Sequence, residues 1–407
     1  MTGTSTIPAL ADRKILLGVT GSIAAYKAAD LASRLTQSGA VVDVVLSDAA
    51  ERFVSPITFS SLTGRRAYVD ADLWGTEAHL LHVGLGREAE AVVVAPATAN
   101  TMAKLASGQA DNLLCLAALA STGPLVLAPA MDSGMFEHPA TRANLATLID
   151  RGAIVLGPEE GRMASGLVGL GRMLEPEAIV GHLRRILARN GSLAGKRVVV
   201  TAGGTQEPID PVRVIANRSS GRQGFALAQA ALDRGADVTL IAGPTALPAP
   251  VGATVIHVAT AAEMEQAVLS GLESTDILLM AAAVADFKPE PSSRKIKRAG
   301  GRRSLDLTPT EDILAAVAVR RKKGRPPQIV VGFAAESEDL VANARAKIDA
   351  KKLDLIVAND ILAKDAGFAV DTNRVTLIDA GGGVQELPLM SKVRVAEAVL
   401  ERVEGLL

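Results

Sequence analysis

The sequence predicts an α/β protein of two domains with mainly parallel sheets, and three features point there. The chain opens with a strand–turn–helix–strand unit of about 30 residues. The same pattern restarts near residue 190. The candidate strands are continuous apolar runs, as expected for a parallel sheet buried on both faces.

The first strand is Lys14–Thr20, followed by a turn at Gly21 and Ser22 and an Ala-rich helix from Ile23 to Ser38. Gly39 and Ala40 end that helix, and Val41–Leu46 is the second strand. Ala91–Ala95 and Pro124–Ala128 continue the series, with Ala153–Leu156 as a further candidate. Asn190–Gly195 is polar and Gly-rich and reads as a linker, which places 1–189 in one domain and 190–407 in the other. Lys196–Thr201 then opens the second domain, with a helix over Gly221–Arg234 and a strand over Gly235–Ile241. Arg34–Val44 and Ala231–Val238 echo one another, two copies being too few for a solenoid. Later strands are read at Ile277–Ala282, Ile329–Phe333 and Leu355–Ala358, and a terminal hairpin at Asn373–Val384.

Composition narrows the function. The chain has 407 residues, with 43 Lys plus Arg against 44 Asp plus Glu, a net charge of −1. That balance, with aromatics at 2%, argues against a nucleic-acid binder. A hydrophobic content of 48% supports sizeable cores of Ala, Val, Leu and Ile. Cys115 is the single cysteine, so no intrachain disulfide forms, which fits a reducing cytoplasm. Met1–Ala11 lacks a secretory pattern, and apolar runs such as Leu113–Ala120 are too short to span a bilayer. The expectation is a soluble protein with no membrane partner.

Polar and Gly-rich segments follow the strands, where open α/β sheets bind ligands. Gly21 and Ser22 at a helix start suit a phosphate, or a plain tight turn. The dinucleotide fingerprint is missing there, so a mononucleotide is the better reading. Pro96–Thr101 and Pro129–Phe136 follow two further strands, and the small residues of the first allow a flat ring to approach. His79 and His82 could share a helix face for a metal, though no carboxylate or cysteine pattern accompanies them. His82 leads into the strand ending at Pro96 and has the chemistry of a base near pH 7. In the second half, Thr201–Arg213 is too polar for core, and Asn217–Gly224 opens a helix in a manner suited to phosphates. Asp286 stands at a strand end. Pro289–Arg303 carries six basic residues, including Lys295 and Lys297, and reads as a mobile loop. Arg320–Pro326 is a second basic run, read as solvated surface. Lys347 and Lys351 lie four apart on a helix. Cations around two phosphate cradles point to a nucleoside triphosphate, without the Walker A motif of P-loop enzymes.

Taken in order, the segments Gly21–Lys27, Ala95–Thr101, Pro129–Asp132, Gly203–Arg213, Asn217–Gly221, Ala282–Asp286, Lys295–Lys297 and Gly332–Glu336 resemble one family. It is the bifunctional phosphopantothenoylcysteine decarboxylase / phosphopantothenate–cysteine ligases of coenzyme A biosynthesis, and the likeness runs from about residue 12 to 405. The resemblance implies two Rossmann-like domains, the first flavodoxin-like and binding FMN, the second binding CTP. It implies His82 as base of the decarboxylase, fourteen residues before Pro96. Gly21, Ser22, Ser47 and Thr98 would hold FMN, and Asn100, Met131 and Asp132 the substrate. In the ligase, Asn217 would handle an acyl-cytidylate and Lys295 steady the phosphate charge. Met280, Ala281, Ala282, Asp286, Glu311, Asp312, Ile313, Leu314, Phe333, Lys347 and Lys351 match CTP-binding positions, with Mg2+ bridging the triphosphate. The implied partners are 4'-phosphopantothenate, cysteine, CTP and further copies of the chain: trimeric decarboxylase domains, dimeric ligase domains and a dodecamer built from both.

Two positions depart from the family. Many members have Asn at Asp132, where a carboxylate puts like charge against the substrate's. Many have Cys in the segment around Ser165, a hydroxyl being a far weaker acid than the family's proton-donating thiol. These departures motivate a second reading, a CTP-dependent ligase whose degenerate flavin domain serves assembly or regulation. A third reading is a non-catalytic nucleotide binder or a flavoprotein acting on peptide cysteines.

Overall fold

The computed structural model describes residues 7–74, 78–162, 166, 168–297, 304–321, 326–336, 340–360 and 371–407. Ser165, the His79 side chain, the end of the first basic loop at 298–303 and the middle of the second basic run at 322–325 lie outside the described residues. The chain forms two compact units, Met1–Leu187 and Ala188–Leu407.

The first unit is built on six parallel strands: β1 (Lys14–Val19), β2 (Val41–Leu46), β3 (Ala67–Val69), β4 (Ala91–Ala97), β5 (Leu125–Pro129) and β6 (Ile154–Val155). Their order is β3-β2-β1-β4-β5-β6. The five strands other than β3 follow the flavodoxin order, and the three-residue β3 adds an edge. Alternation divides β1 between two cores. Ile15, Leu17 and Val19 pack with Leu31 and Leu35 of the helix Ala25–Gln37 and with Leu183. Leu16 packs on the opposite face with Leu113 and Leu114 of the helix Leu113–Ala120. Gly18 on that face makes room for Leu114, whose Cδ1 would lie 2.4 Å from an added Cβ. An antiparallel ribbon, β7 (Glu159–Arg162) with β8 (Val168–Arg172), precedes the helix Pro176–Ala188.

The second unit repeats the plan. Strands β9 (Arg197–Ala202), β12 (Asp237–Ala242), β13 (Thr254–His257), β14 (Ile277–Met280), β17 (Ile329–Glu336) and β18 (Leu355–Asp360) pair in parallel in the order β13-β12-β9-β14-β17-β18. Two ribbons leave this sheet: β10 (Gln206–Asp210) with β11 (Arg213–Ala216), and β15 (Phe287–Pro289) with β16 (Leu307–Pro309). The expected hairpin forms from Val375–Asp379 and Val384–Glu386, and it extends the main sheet antiparallel to β18. It is not terminal, however. The helix Lys392–Glu404 follows it, with Val395, Val399, Leu400 and Val403 buried. That apolar stripe has helical spacing, and it packs in one core with the helix Arg222–Leu232. Arg234 bridges to Glu397 at 2.6 Å and Glu404 at 2.7 Å beside the contact.

Candidate active sites

In the first unit the strand order reverses between β1 and β4, so their carboxyl ends open a crevice. Gly21 and Ser22 follow β1, Ser47 follows β2, and Thr98 follows β4. The buried Thr20 ties two of these ends together. Its Oγ1 donates to the Pro96 carbonyl at 2.6 Å and accepts from the Thr98 N–H at 3.2 Å. Ser47 and Thr98 each cap a helix, accepting from the N–H of Ala50 and Thr101 at 3.3 Å. Gly21 is needed for close approach, because an added Cβ would sit 2.4 Å from that of Ala49. Asn100 lies exposed in the first turn of the helix Ala99–Ser107.

A cavity of about 400 Å³ is lined by Ser22, Met131 and Asp132 together with Lys27, Arg162 and Arg172. Asp132 caps the helix Ser133–Glu137, accepting from the Gly134 N–H at 3.0 Å. Lys27 is 5% exposed and donates to the Met173 carbonyl and Glu175, both at 2.9 Å. Glu175 also takes Arg172; these bonds, Lys27's first, hold its carboxyl below the ordinary range. Residue-by-residue reading gave these cations no role in a site, Lys27 being far in sequence from the β7–β8 ribbon that carries Arg162 and Arg172. His82 is half-buried on the helix Ala78–Glu88 and lines neither this cavity nor the one described next. Its Nδ1 is buried and, among the described residues, has no hydrogen-bond partner.

In the second unit the order reverses between β9 and β14. A cavity of about 560 Å³ opens there. It collects Asn217, Met280, Ala281, Ala282, Asp286, Glu311, Asp312, Ile313, Leu314, Phe333, Lys347 and Lys351. Lys295 is exposed and is not among the lining residues. Strand β14 ends at Met280, earlier than its apolar run, so Ala281–Asp286 forms the rim. Polar bonds shape that rim. Thr201 Oγ1 accepts from Ala282 N–H at 3.1 Å, Thr205 Oγ1 from Ala285 N–H at 2.9 Å, and Asn217 Nδ2 donates to Val284 O at 2.9 Å.

Two helices begin at the cavity. One is Ile313–Arg320, capped by Asp312, which accepts from the Ala315 N–H at 3.1 Å. Burial raises the Asp312 carboxyl, but Lys351 Nζ at 2.9 Å and the helix N–H outweigh it and hold the group below its ordinary value. The other is Arg222–Leu232, starting one residue later than its pattern suggests, with Gly221 as N-cap at φ 76°. Both positive helix ends favour anions. Gln223, Asn359, Asn373 and Lys392 complete the wall. Gln223 Nε2 donates to the Lys392 carbonyl at 3.2 Å, and its Oε1 is buried without a partner among the described residues. Lys392 is 6% exposed and lines the cavity. Burial above all, then Arg222, pushes the Lys392 pKa down, and Asp371 opposes them. One sequence signal could have exposed Lys392: it stands in a first helical turn, where a cation opposes the helix dipole. Among the described residues no group of three or more His, Cys, Asp or Glu could hold a metal ion. No described helix is long and apolar enough to cross a membrane.

Two switch-point units, each with small and hydroxyl residues at strand ends, define a two-unit protein of the open α/β class. A family described as Flavoprotein matches residues 6–188, and one described as DNA/pantothenate metabolism flavoprotein C-terminal domain matches 193–406. The coenzyme A biosynthesis bifunctional protein CoaBC of Bacillus subtilis (strain 168) is 45% identical over 401 residues, 98% of each chain. That of Mycobacterium tuberculosis (strain H37Rv) is 42% identical over 404 residues, 96% of each. A solved C-terminal domain of a protein of this name is 37% identical, covering 53% of this chain and 97% of its own, with a TM-score of 0.45. The chain belongs to the family of bifunctional coenzyme A biosynthesis enzymes that join a decarboxylase to a ligase.

Proposed function

We propose that residues 190–407 join 4'-phosphopantothenate to cysteine using CTP and Mg2+, and that residues 1–189 decarboxylate the product to 4'-phosphopantetheine using FMN. The single observation that supports this most is the cavity of about 560 Å³, with two helix N-termini and several cations around a small-residue rim. A triphosphate and a substrate phosphate are two anions for those two ends. Lys347 and Lys351 are read as phosphate ligands beside the Asp312 helix, and Asn217, pinned through its amide to Val284, as the contact to the acyl-cytidylate. Asp286 and Glu311 flank the rim. Lys295 would add its charge from the neighbouring loop as the phosphates leave.

The first unit fits FMN by its own residues. Gly21 and Ser22 lie before the helix Ala25–Gln37, and Ser47 and Thr98 cap the helices that follow β2 and β4. Bound FMN would supply the two-electron chemistry at the substrate's thiol end. His82 would carry the proton in that half, its Nδ1 being free of bonds to described residues. Asn100 and Met131 would contact substrate. Asp132 shares its cavity with Arg162 and Arg172, so a substrate carboxylate meets cations as well as like charge. Ser165 stands where many members carry the proton-donating thiol, and another donor or water would serve there. Exposed Ile23, Tyr26 and Ile57 support self-association of this unit, and we read the enzyme as a cytoplasmic homo-oligomer of trimers and dimers.

One incubation tests the two halves: phosphopantothenate, cysteine, CTP and Mg2+ with the purified enzyme, read by mass spectrometry. Phosphopantetheine is expected. Arrest at phosphopantothenoylcysteine would remove the decarboxylase assignment, and no condensed product would remove the ligase. Lys392→Met is a second test, aimed at the substrate phosphate. Removing an ammonium whose charged form burial disfavours is expected to raise the unit's melting temperature by about 2 °C while raising KM for phosphopantothenate about tenfold. Unchanged KM would exclude Lys392 from the phosphate site.

A further inference from the structure

The segment holding Lys295 is gripped at one peptide by a charged pair from the β10–β11 turn. Ile296 follows Lys295, and both of its main-chain polar groups are engaged. Asp210 Oδ2 accepts from the Ile296 N–H at 3.1 Å, and Arg213 Nη2 donates to the Ile296 carbonyl at 2.8 Å. The pair is itself organised. Arg213 Nε donates to Asp210 Oδ2 at 3.0 Å, Nη2 adds a second contact, and the Val212 and Arg213 N–H groups donate to Oδ1 at 3.0 Å. The Asp210 side chain is fully buried while Arg213 is half exposed. Three residues before Lys295, the Ser292 N–H donates to the Ile209 carbonyl at 2.9 Å. Charge-assisted bonds of this kind are about twice as strong as neutral ones.

The gripped segment grows from the cavity rim. The β15–β16 ribbon leaves after Asp286 and returns at Thr310, both of which line the cavity, and the Thr310 N–H donates to the Asp286 carbonyl at 2.9 Å. Fixing Ile296 therefore limits the positions from which Lys295 can reach that rim. We propose that Asp210, together with Arg213, is a positioning residue for Lys295 in the ligase reaction. The inference rests on the proposed role of Lys295, and its test separates the two.

Asp210→Asn keeps the shape but leaves one carbonyl oxygen to serve donors that now share two. In the full-length folded enzyme, trypsin is expected to cut the Lys295–Ile296 bond at least about fivefold faster in the variant, because a held peptide must open before cleavage. Arg213→Lys, which retains a cation for Asp210 but loses the planar fork, is expected to show the same direction if Asp210→Asn proves too unstable to purify. In steady-state ligation, Asp210→Asn is expected to lower kcat about tenfold with KM for CTP changed less than about twofold. In a Lys295→Ala background the same substitution is expected to have no further effect on kcat. Equal losses in both backgrounds would overturn the proposal, since Asp210 would then act on something else. Unchanged cleavage with unchanged kcat would also overturn it. Normal ligation by Lys295→Ala would remove its premise, and trypsin would still report whether the grip on Ile296 exists.

Discussion

His82→Asn is expected to reduce carbon dioxide release from phosphopantothenoylcysteine by about a thousandfold, within the usual range for loss of a general base. Ligation by the same variant should stay within about twofold, because His82 lies in the first compact unit and the ligase cavity in the second. The physical ground is the state of the ring. Nδ1 is buried and lacks a partner among the described residues, and such an atom costs about 1–3 kcal/mol when nothing satisfies it. A second variant separates a functional histidine from a packing one. His82→Leu removes the unsatisfied atom, so it is expected to raise the melting temperature while decarboxylation is lost. Carbon dioxide release and calorimetry read the two effects. Lost stability with retained release would reverse the assignment.

The second large effect is expected at Lys351. Lys351→Ala should raise KM for CTP about a hundredfold, with a smaller fall in kcat. One charge is lost from the wall that the triphosphate would face, and a second loses its partner. The ammonium is removed, and Asp312, held by it at 2.9 Å, is left as an uncompensated carboxylate in the same cavity. Asp312→Asn added to Lys351→Ala should therefore recover part of the affinity, a recovery that general disruption would not produce. The pH dependence follows from the sign of the shift. Burial raises the Asp312 carboxyl, but Lys351 and the helix N–H lower it more, so its folded pKa lies below 3.8. The pair's stabilisation is complete above 3.8 and is lost as pH falls through the folded value. The CTP dependence of the wild-type enzyme should accordingly show no Asp312 titration between about pH 5 and 8. A transition in that window that disappears in Asp312→Asn would contradict the pairing.

Strands were legible wherever apolar runs are continuous, because a parallel strand buried on both faces has no polar side to interrupt it. Val41–Leu46 has the bounds its pattern implies, and β1, β9 and β18 differ from theirs by one or two residues. The closing helix Lys392–Glu404 was missed. Its apolar stripe is regular, but it follows a Gly-rich hairpin whose turn residues read as the end of the fold. The strand at Ile277 was read two residues too long, since Ala281 and Ala282 are apolar in composition but sit at a rim where Thr201 bonds the backbone.

Two α/β units and the family are legible along the chain alone, because these depend on periodicity and on short contiguous segments. Only the tertiary structure decided which distant side chains share a wall. Gln223 meets Lys392 across 169 positions, Lys27 meets Glu175 across 148, and Asp210 meets Ile296 across 86. Apart from Lys392 at its helix start, these residues have ordinary local patterns. Burial and charge acquire their effect there only after the sheet has brought the partners together, since an ammonium's cost or a carboxylate's grip depends on the surroundings that folding creates.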